Sequence, residues 1–205
     1  MIRIDHVVFA VADLEQAAEQ LRRVTGLVAV PGGSHPQFGT SNRIAPLGNQ
    51  YLELVAADDP LRGARSGLGR MVLAQAHPDR LQPIAVCLSG AQLDAVSRRL
   101  QQPPEAGIRV RPDGSRLSWR SLGMDRAFGR EMLPFFIWWD RPERHPSTMA
   151  GGSAGRIAQV EIGGSADSLA AHLGEDVAEL AGGGGPPGIR AVELELPGGE
   201  RVRLA

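Results

Sequence analysis

The residues of this chain that could do chemistry are few: five histidines, one cysteine and a handful of acids set among apolar neighbours. His6 lies within Ile4-Asp5-His6-Val7-Val8-Phe9, where an imidazole is either a core residue bonded by a neighbour or a donor in a buried site. Glu53 sits between Leu52 and Leu54, so it faces solvent or is partnered in the interior. Arg43 follows Asn42 on an expected strand. Its guanidinium could hold a carboxylate through two parallel hydrogen bonds, or simply be a strand-edge charge. Trp138 and Trp139 are adjacent and therefore face opposite sides of a strand, one towards a ligand site and the other beneath a helix. His35 and His145 each precede a proline, and imidazole is the side chain whose charge changes near neutral pH. His77 and His172 read as surface residues, and Cys87 as a small core residue.

Much chemistry is excluded. All 22 basic residues are arginine, which removes Schiff-base, lysine-base and P-loop mechanisms. One cysteine permits neither an internal disulfide nor a cysteine-only metal cluster. There is no G-x-S-x-G elbow and no H-E-x-x-H zinc helix. The net charge of −1 gives no global field towards nucleic acid or membrane. Residues Arg98 to Arg130 hold eight arginines against three acids, with Trp119 among them, and read as a solvated face. No apolar run is long enough to span a bilayer, and the opening residues lack a signal-peptide layout, so a cytoplasmic location is expected.

The elements that must position these residues recur. Ile2–Val11 reads as a buried strand, followed by a helix capped at Asp13, with Gln16 three positions on and Gly26 as its stop. Pro83–Leu88 repeats the strand, with Ser89 as cap and a stop at Pro103-Pro104; Ile157–Ile162 repeats it again, with cap Ser165 and stop Gly174. Further strands follow each helix, separated by Gly and Pro turns. The reading is an α+β chain: a βαβββ unit over 1–60, a linker with a helix over 61–80, a second βαβββ unit over 81–140, a loop over 141–156 and a shorter βαββ unit over 157–205. Gly182 to Pro187 is expected as a flexible loop or helix exit.

Repeated βαβββ units resemble the vicinal oxygen chelate superfamily of glyoxalase I, extradiol dioxygenases and bleomycin-resistance proteins. Ile4–Leu14 looks like the superfamily's opening strand and helix start. The segments His35–Arg43, Gly48–Val55, Pro134–Asp140 and Arg144–Ser147 look like its glyoxalase-like subgroup. The resemblance implies a curved mixed sheet around a cup that holds a divalent metal (Zn, Fe, Mn or Ni) or an organic ligand. It places His6 and Glu53 at ligand positions and makes His35 and His145 the general acid/base candidates. Asn42, Arg43, Trp138 and Trp139 would contact substrate. In the second unit Ala85 falls near the His6 position, and Ile137, Trp138 and Trp139 fall where Glu53 would be; Glu161 of the third unit, near its His6 position, is a candidate for completing the set, with His35 and His145 also open and no spacing to select among them. The implied function is a metal-dependent lyase, isomerase or dioxygenase acting on a small oxygenated molecule, with homodimers common in the superfamily. The rivals are a metal-free protein that sequesters small molecules and a scaffold without a pocket.

Overall fold

A computed structural model describes residues 1–205. The first strand shows why the sequence lacks a polar face. In β1 (Arg3–Ala10) every residue from Ile4 onward is buried, because both sides of the strand are covered. Val7 and Phe9 pack outward with Ala17 and Leu21 of α1 (Leu14–Thr25), while Val8 and Ala10 belong to a separate inner cluster. Asp13 caps α1 by accepting from the Gln16 amide, and Gly26 ends it at φ +72°, a conformation costly for any residue with a Cβ.

Strands β2 (Val30–His35), β3 (Thr40–Leu47) and β4 (Gln50–Ala57) complete the first unit. The short α2 (Pro60–Gly63) and the linking α3 (Gly67–Gln75) lead to β5 (Gln82–Ser89) and α4 (Leu93–Leu100). Then come β6 (Glu105–Val110), β7 (Arg116–Leu122), α5 (Met124–Ala127) and β8 (Phe135–Trp139). The eight strands close into a barrel in the order β1-β4-β3-β2-β6-β7-β8-β5. Closure needs glycine: a Cβ on Gly33 (φ +137°) would lie 2.0 Å from the Val110 carbonyl oxygen, where β2 meets β6.

The register of the barrel makes the two halves equivalent residue by residue. His6 pairs with Cys87 and Val8 pairs with Ala85 across the antiparallel β1–β5 seam, so Ala85 stands in the second half where His6 stands in the first. Val8 lies beside Glu53 in the parallel β1–β4 pair, as Cys87 lies beside Phe135 in β5–β8. Phe135, rather than Ile137, Trp138 or Trp139, therefore occupies the Glu53 position.

A second sheet follows, ordered β10-β9-β11-β12. It is built from β9 (Arg156–Gly164), α6 (Ala166–Leu173), β10 (Leu180–Gly182), β11 (Gly184–Glu195) and β12 (Arg201–Leu204). Its β11 packs against β5, and its apolar residues Val160, Val192 and Leu194 join the cluster that covers the barrel's outside. The third unit thus has one strand more than expected, and in place of a loop over Gly182 to Pro187, Gly182 ends β10 and Gly184 to Pro187 open β11, with Gly183 alone between them. Ser89 does not cap α4; it stays in β5, and the cap position is Gln92. His172 is buried rather than exposed, its Nε2 lying 2.6 Å from the Pro134 carbonyl oxygen. No helix is long and apolar enough to cross a membrane.

Candidate active site

Strand alternation sends Tyr51, Glu53 and Val55 of β4 into the barrel and Leu52 and Leu54 outward to the covering layer. The leucines flanking Glu53 thus serve the outer core, and the acid serves the interior. There it is buried beside His6 and His35, with His6 Nε2 3.4 Å from Oε2 and His35 Nε2 3.7 Å from Oε1. Asn42 on β3 donates its side-chain amide to Glu53 Oε1 at 2.5 Å. The amide fits there because Gly32 has no side chain; a Cβ would lie 2.2 Å from Asn42 Oδ1.

Asp5 organises the other side of His6. Neighbouring strand residues normally face opposite ways, but a register shift between Ile4 and His6 in the β1–β5 pairing breaks the alternation at Asp5. Its Oδ1 receives His6 Nδ1 at 2.8 Å, and its Oδ2 receives Trp139 Nε1 at 3.2 Å and His145 Nε2 at 3.1 Å. His145 Nδ1 in turn accepts from the Ser147 backbone amide, which fixes the donor nitrogen as Nε2. Burial alone would raise Asp5, but the bonds from His145 and His6 hold it far below the usual carboxylate range. With Asp5 ionised, the proton of the first bond sits on His6 Nδ1, and His6 Nε2 is turned to Glu53.

The remaining charges follow from burial and neighbours. Burial pushes Glu53 up, but His6, His35, Arg109 and the Asn42 hydrogen bond outweigh it, so Glu53 lies below its ordinary value. Burial pulls His35 down to about 4, which leaves a neutral imidazole near pH 7; its Nδ1 lies 3.2 Å from Thr40 Oγ1. Burial raises Tyr51, with Glu53 and Asp5 adding to it, so its phenol keeps its proton.

His6, His35, Tyr51 and Glu53 form one wall of a small cavity of about 40 Å³. The facing wall is apolar: Trp119, Phe128, Phe135, Ile137 and Trp139, with Leu68 and Met124 from α3 and α5 at the edge. Trp119 lies over Gly107, where a Cβ would stand 2.4 Å from the indole ring. Arg109 on β6 also lines the cavity and is 2 % exposed.

Of the residues singled out from sequence, the fold brings His6, His35, Asn42, Glu53 and Trp139 together. His145 stands behind Asp5 instead of lining the cavity. Trp138 turns the other way and donates to the Ala91 carbonyl. Arg43 points outward, bonded to Glu15 and to the Ala29 carbonyl, so it holds no substrate in the cavity. Glu161 lies on the second sheet, paired with Arg203, and does not complete the site. Asp5, Tyr51, Arg109 and Trp119 were not anticipated. Asp5 had a signal, its adjacency to His6, but only the bulge gives that adjacency a meaning.

The donor set for a metal is not assembled as the resemblance implies. Asp5, His6 and Cys87 form a buried group whose ligand atoms lie within 4.8 Å of one another. Both Asp5 oxygens already accept N–H bonds, and burial raises the Cys87 thiol well above its ordinary value, so these atoms do not suit an ion. In the cavity the two imidazoles sit on different oxygens of Glu53, and His6, His35 and Glu53 do not converge within that distance. The second half offers Ala85 and Phe135 where the other ligands would stand, and Arg109 adds positive charge.

Residues 4–178 match the family described as a glyoxalase-like domain. No curated protein shows significant sequence similarity to the chain. Among solved structures, a hypothetical protein from Staphylococcus aureus shares the fold at 16% identity. The match covers 99% of this chain and 85% of that one, with a TM-score of 0.64. Methylmalonyl-CoA epimerase from Mycobacterium tuberculosis aligns at 20% identity over 66% of this chain and 85% of its own, with a TM-score of 0.43.

Proposed function

The chain belongs to the glyoxalase-like domain family of the vicinal oxygen chelate superfamily, and from that premise we propose that it is an enzyme moving a proton at a carbon beside a carbonyl group of a small substrate. The observation that carries this reading is Glu53. It is an ionised carboxylate inside a mainly apolar cavity, fixed by an amide and flanked by two imidazoles. A dry carboxylate held in one orientation is a competent general base.

In the proposed step a substrate C–H faces Glu53. The C–H bond breaks, the proton passes to the carboxylate, and the electron pair moves to the substrate's carbonyl oxygen. Tyr51, whose phenol keeps its proton, is the donor on the same wall for the oxygen that gains charge, and the neutral His35 stands beside Glu53. Returning the proton to the same carbon gives an epimerase, and returning it to a neighbouring atom gives an isomerase. Asp5 is a positioning residue that fixes the tautomer of His6, and His145 and Trp139 fix Asp5. No resident metal takes part in this reading.

A second reading, sequestration of a small apolar molecule without reaction, is favoured by the ten hydrophobic residues among the fourteen that line the cavity. Proton exchange separates the two. Protein incubated in deuterium oxide with a panel of small oxo acids, oxo esters and ketones is followed by proton NMR. The enzyme reading expects loss of a specific C–H signal from at least one compound, and none with Glu53→Gln. Saturable binding without any exchange would leave sequestration standing.

A further inference from the structure

Arg109 is the one charged cavity residue that the proposed proton transfer leaves unused. It sits on β6 with 2 % of its surface exposed, and its Nε and Nη2 are buried with no hydrogen-bond partner. It forms no ion pair with Glu53, which is taken up by Asn42, His6 and His35. Burial pulls its pKa down, although Tyr51 and Glu53 act in the opposite sense. A buried guanidinium without acceptors is costly, and proteins pair nearly all such groups. A ligand acceptor entering from the cavity that Arg109 lines would supply the missing partner.

We propose that Arg109 is the carboxylate-binding residue of this site, and that the substrate is a small monocarboxylic acid whose acidic C–H is turned to Glu53. This inference rests on the reading of the cavity as the active site and adds its substrate class. The planar fork of an arginine matches a carboxylate through two parallel N–H···O bonds. Arg109 carries one positive charge and forms no ion pair with any side chain, so its guanidinium matches a single negative charge. A phosphate would bring a second charge, and the cavity holds no second arginine to meet it. Trp119 and Phe128 make the facing wall apolar, which suits an aliphatic substituent and gives a second ionic group no partner. Tyr51 and Glu53 line the same cavity as Arg109, so an acid that carries a carbonyl and a C–H beside its carboxylate offers a partner to each, and 2-oxo acids are the favoured members of the class.

The test reads binding independently of turnover. Pyruvate and 2-oxobutyrate are titrated against the fluorescence of Trp119 and Trp139, beside pyruvamide and inorganic phosphate. The proposal expects saturable quenching by the acids, at least tenfold weaker binding of the amide, and no competition from phosphate. Arg109→Met should weaken the acids at least tenfold, leave the amide unchanged and leave the melting temperature equal or higher. A structural arginine would instead lower it. Arg109→Lys should restore part of the affinity, since a point charge replaces the fork. Equal binding of acid and amide, phosphate binding tighter than the acids, absence of any acid binding, or acid binding unchanged in Arg109→Met would each overturn the proposal. If acids bind through Arg109 but no compound exchanges its proton, the proton-transfer reading fails and the carboxylate site stands.

Discussion

The two halves of the barrel share a topology and a register, yet only one gathers buried carboxylate and imidazole groups around the cavity. In the first half, β1, β2, β3 and β4 bring His6, His35, Asn42 and Glu53 to one point. In the second, the positions equivalent to His6 and Glu53 hold Ala85 and Phe135, and the residues facing the cavity are apolar apart from Arg109. A closed eight-stranded interior has room for side chains and little else. Filling one half with hydrocarbon confines the polar groups and dries them, which makes each stronger. A repeated scaffold supplies placement, and the asymmetry of its contents supplies the site.

The equivalent positions give the sharpest contrast. Glu53→Gln should lower proton exchange by about 10²–10⁴-fold, the usual loss for a general base, while Phe135→Leu should stay within about tenfold of wild type. Similar losses in both would mean that the halves are not functionally distinct.

The pH dependence of stability tests the burial of the first half. His35 has a depressed pKa in the fold, about 4, and the unfolded chain takes up its proton near 6.5. Its neutral state is therefore fully accommodated above 6.5, and stability falls as pH drops from there towards 4, by about 3 kcal/mol. His172, also lowered by burial, adds to the same limb. Asp5 and Glu53 are depressed as well, and their contributions are lost only below their unfolded values near pH 4. Urea unfolding from pH 4 to 8 should show this slope, and His35→Gln should flatten most of it. An unchanged slope would place His35 in contact with water.

Asp5→Asn should cost about 1–3 kcal/mol in the same unfolding assay at pH 7. The amide cannot accept on both sides, and at least one buried N–H loses its partner. Its counterpart in the second half, Ile84, is a plain core residue, and Ile84→Val should cost about 1 kcal/mol. Smallest of all, Arg43→Ala should change stability by less than about 1 kcal/mol, because its partner Glu15 is largely exposed. It should also leave ligand binding unaltered, in contrast to Arg109.

The fold was legible because it rests on local patterns. Asp13 before a helical stripe, Ser165 before another and continuous apolar strands all survive in the structure. His6 and Glu53 were visible as polar residues in strands with no polar face. What sequence could not show was direction. Ile108 and Val110 flank Arg109 and suggest an outward arginine, yet β6 turns Gly107 and Arg109 inward. Asp5 could be attached to His6 only through a bulge, which leaves no compositional trace. Arg43 and Glu161 resembled site residues until Glu15 and Arg203, distant in sequence, were seen to hold them.

The most direct measurement is the rate of proton exchange from a bound 2-oxo acid by chelator-treated protein of determined metal content. The account predicts that exchange persists with far less than one ion per chain and disappears in Glu53→Gln. Exchange that vanishes with the metal, and returns when one equivalent of ion is restored, would contradict it.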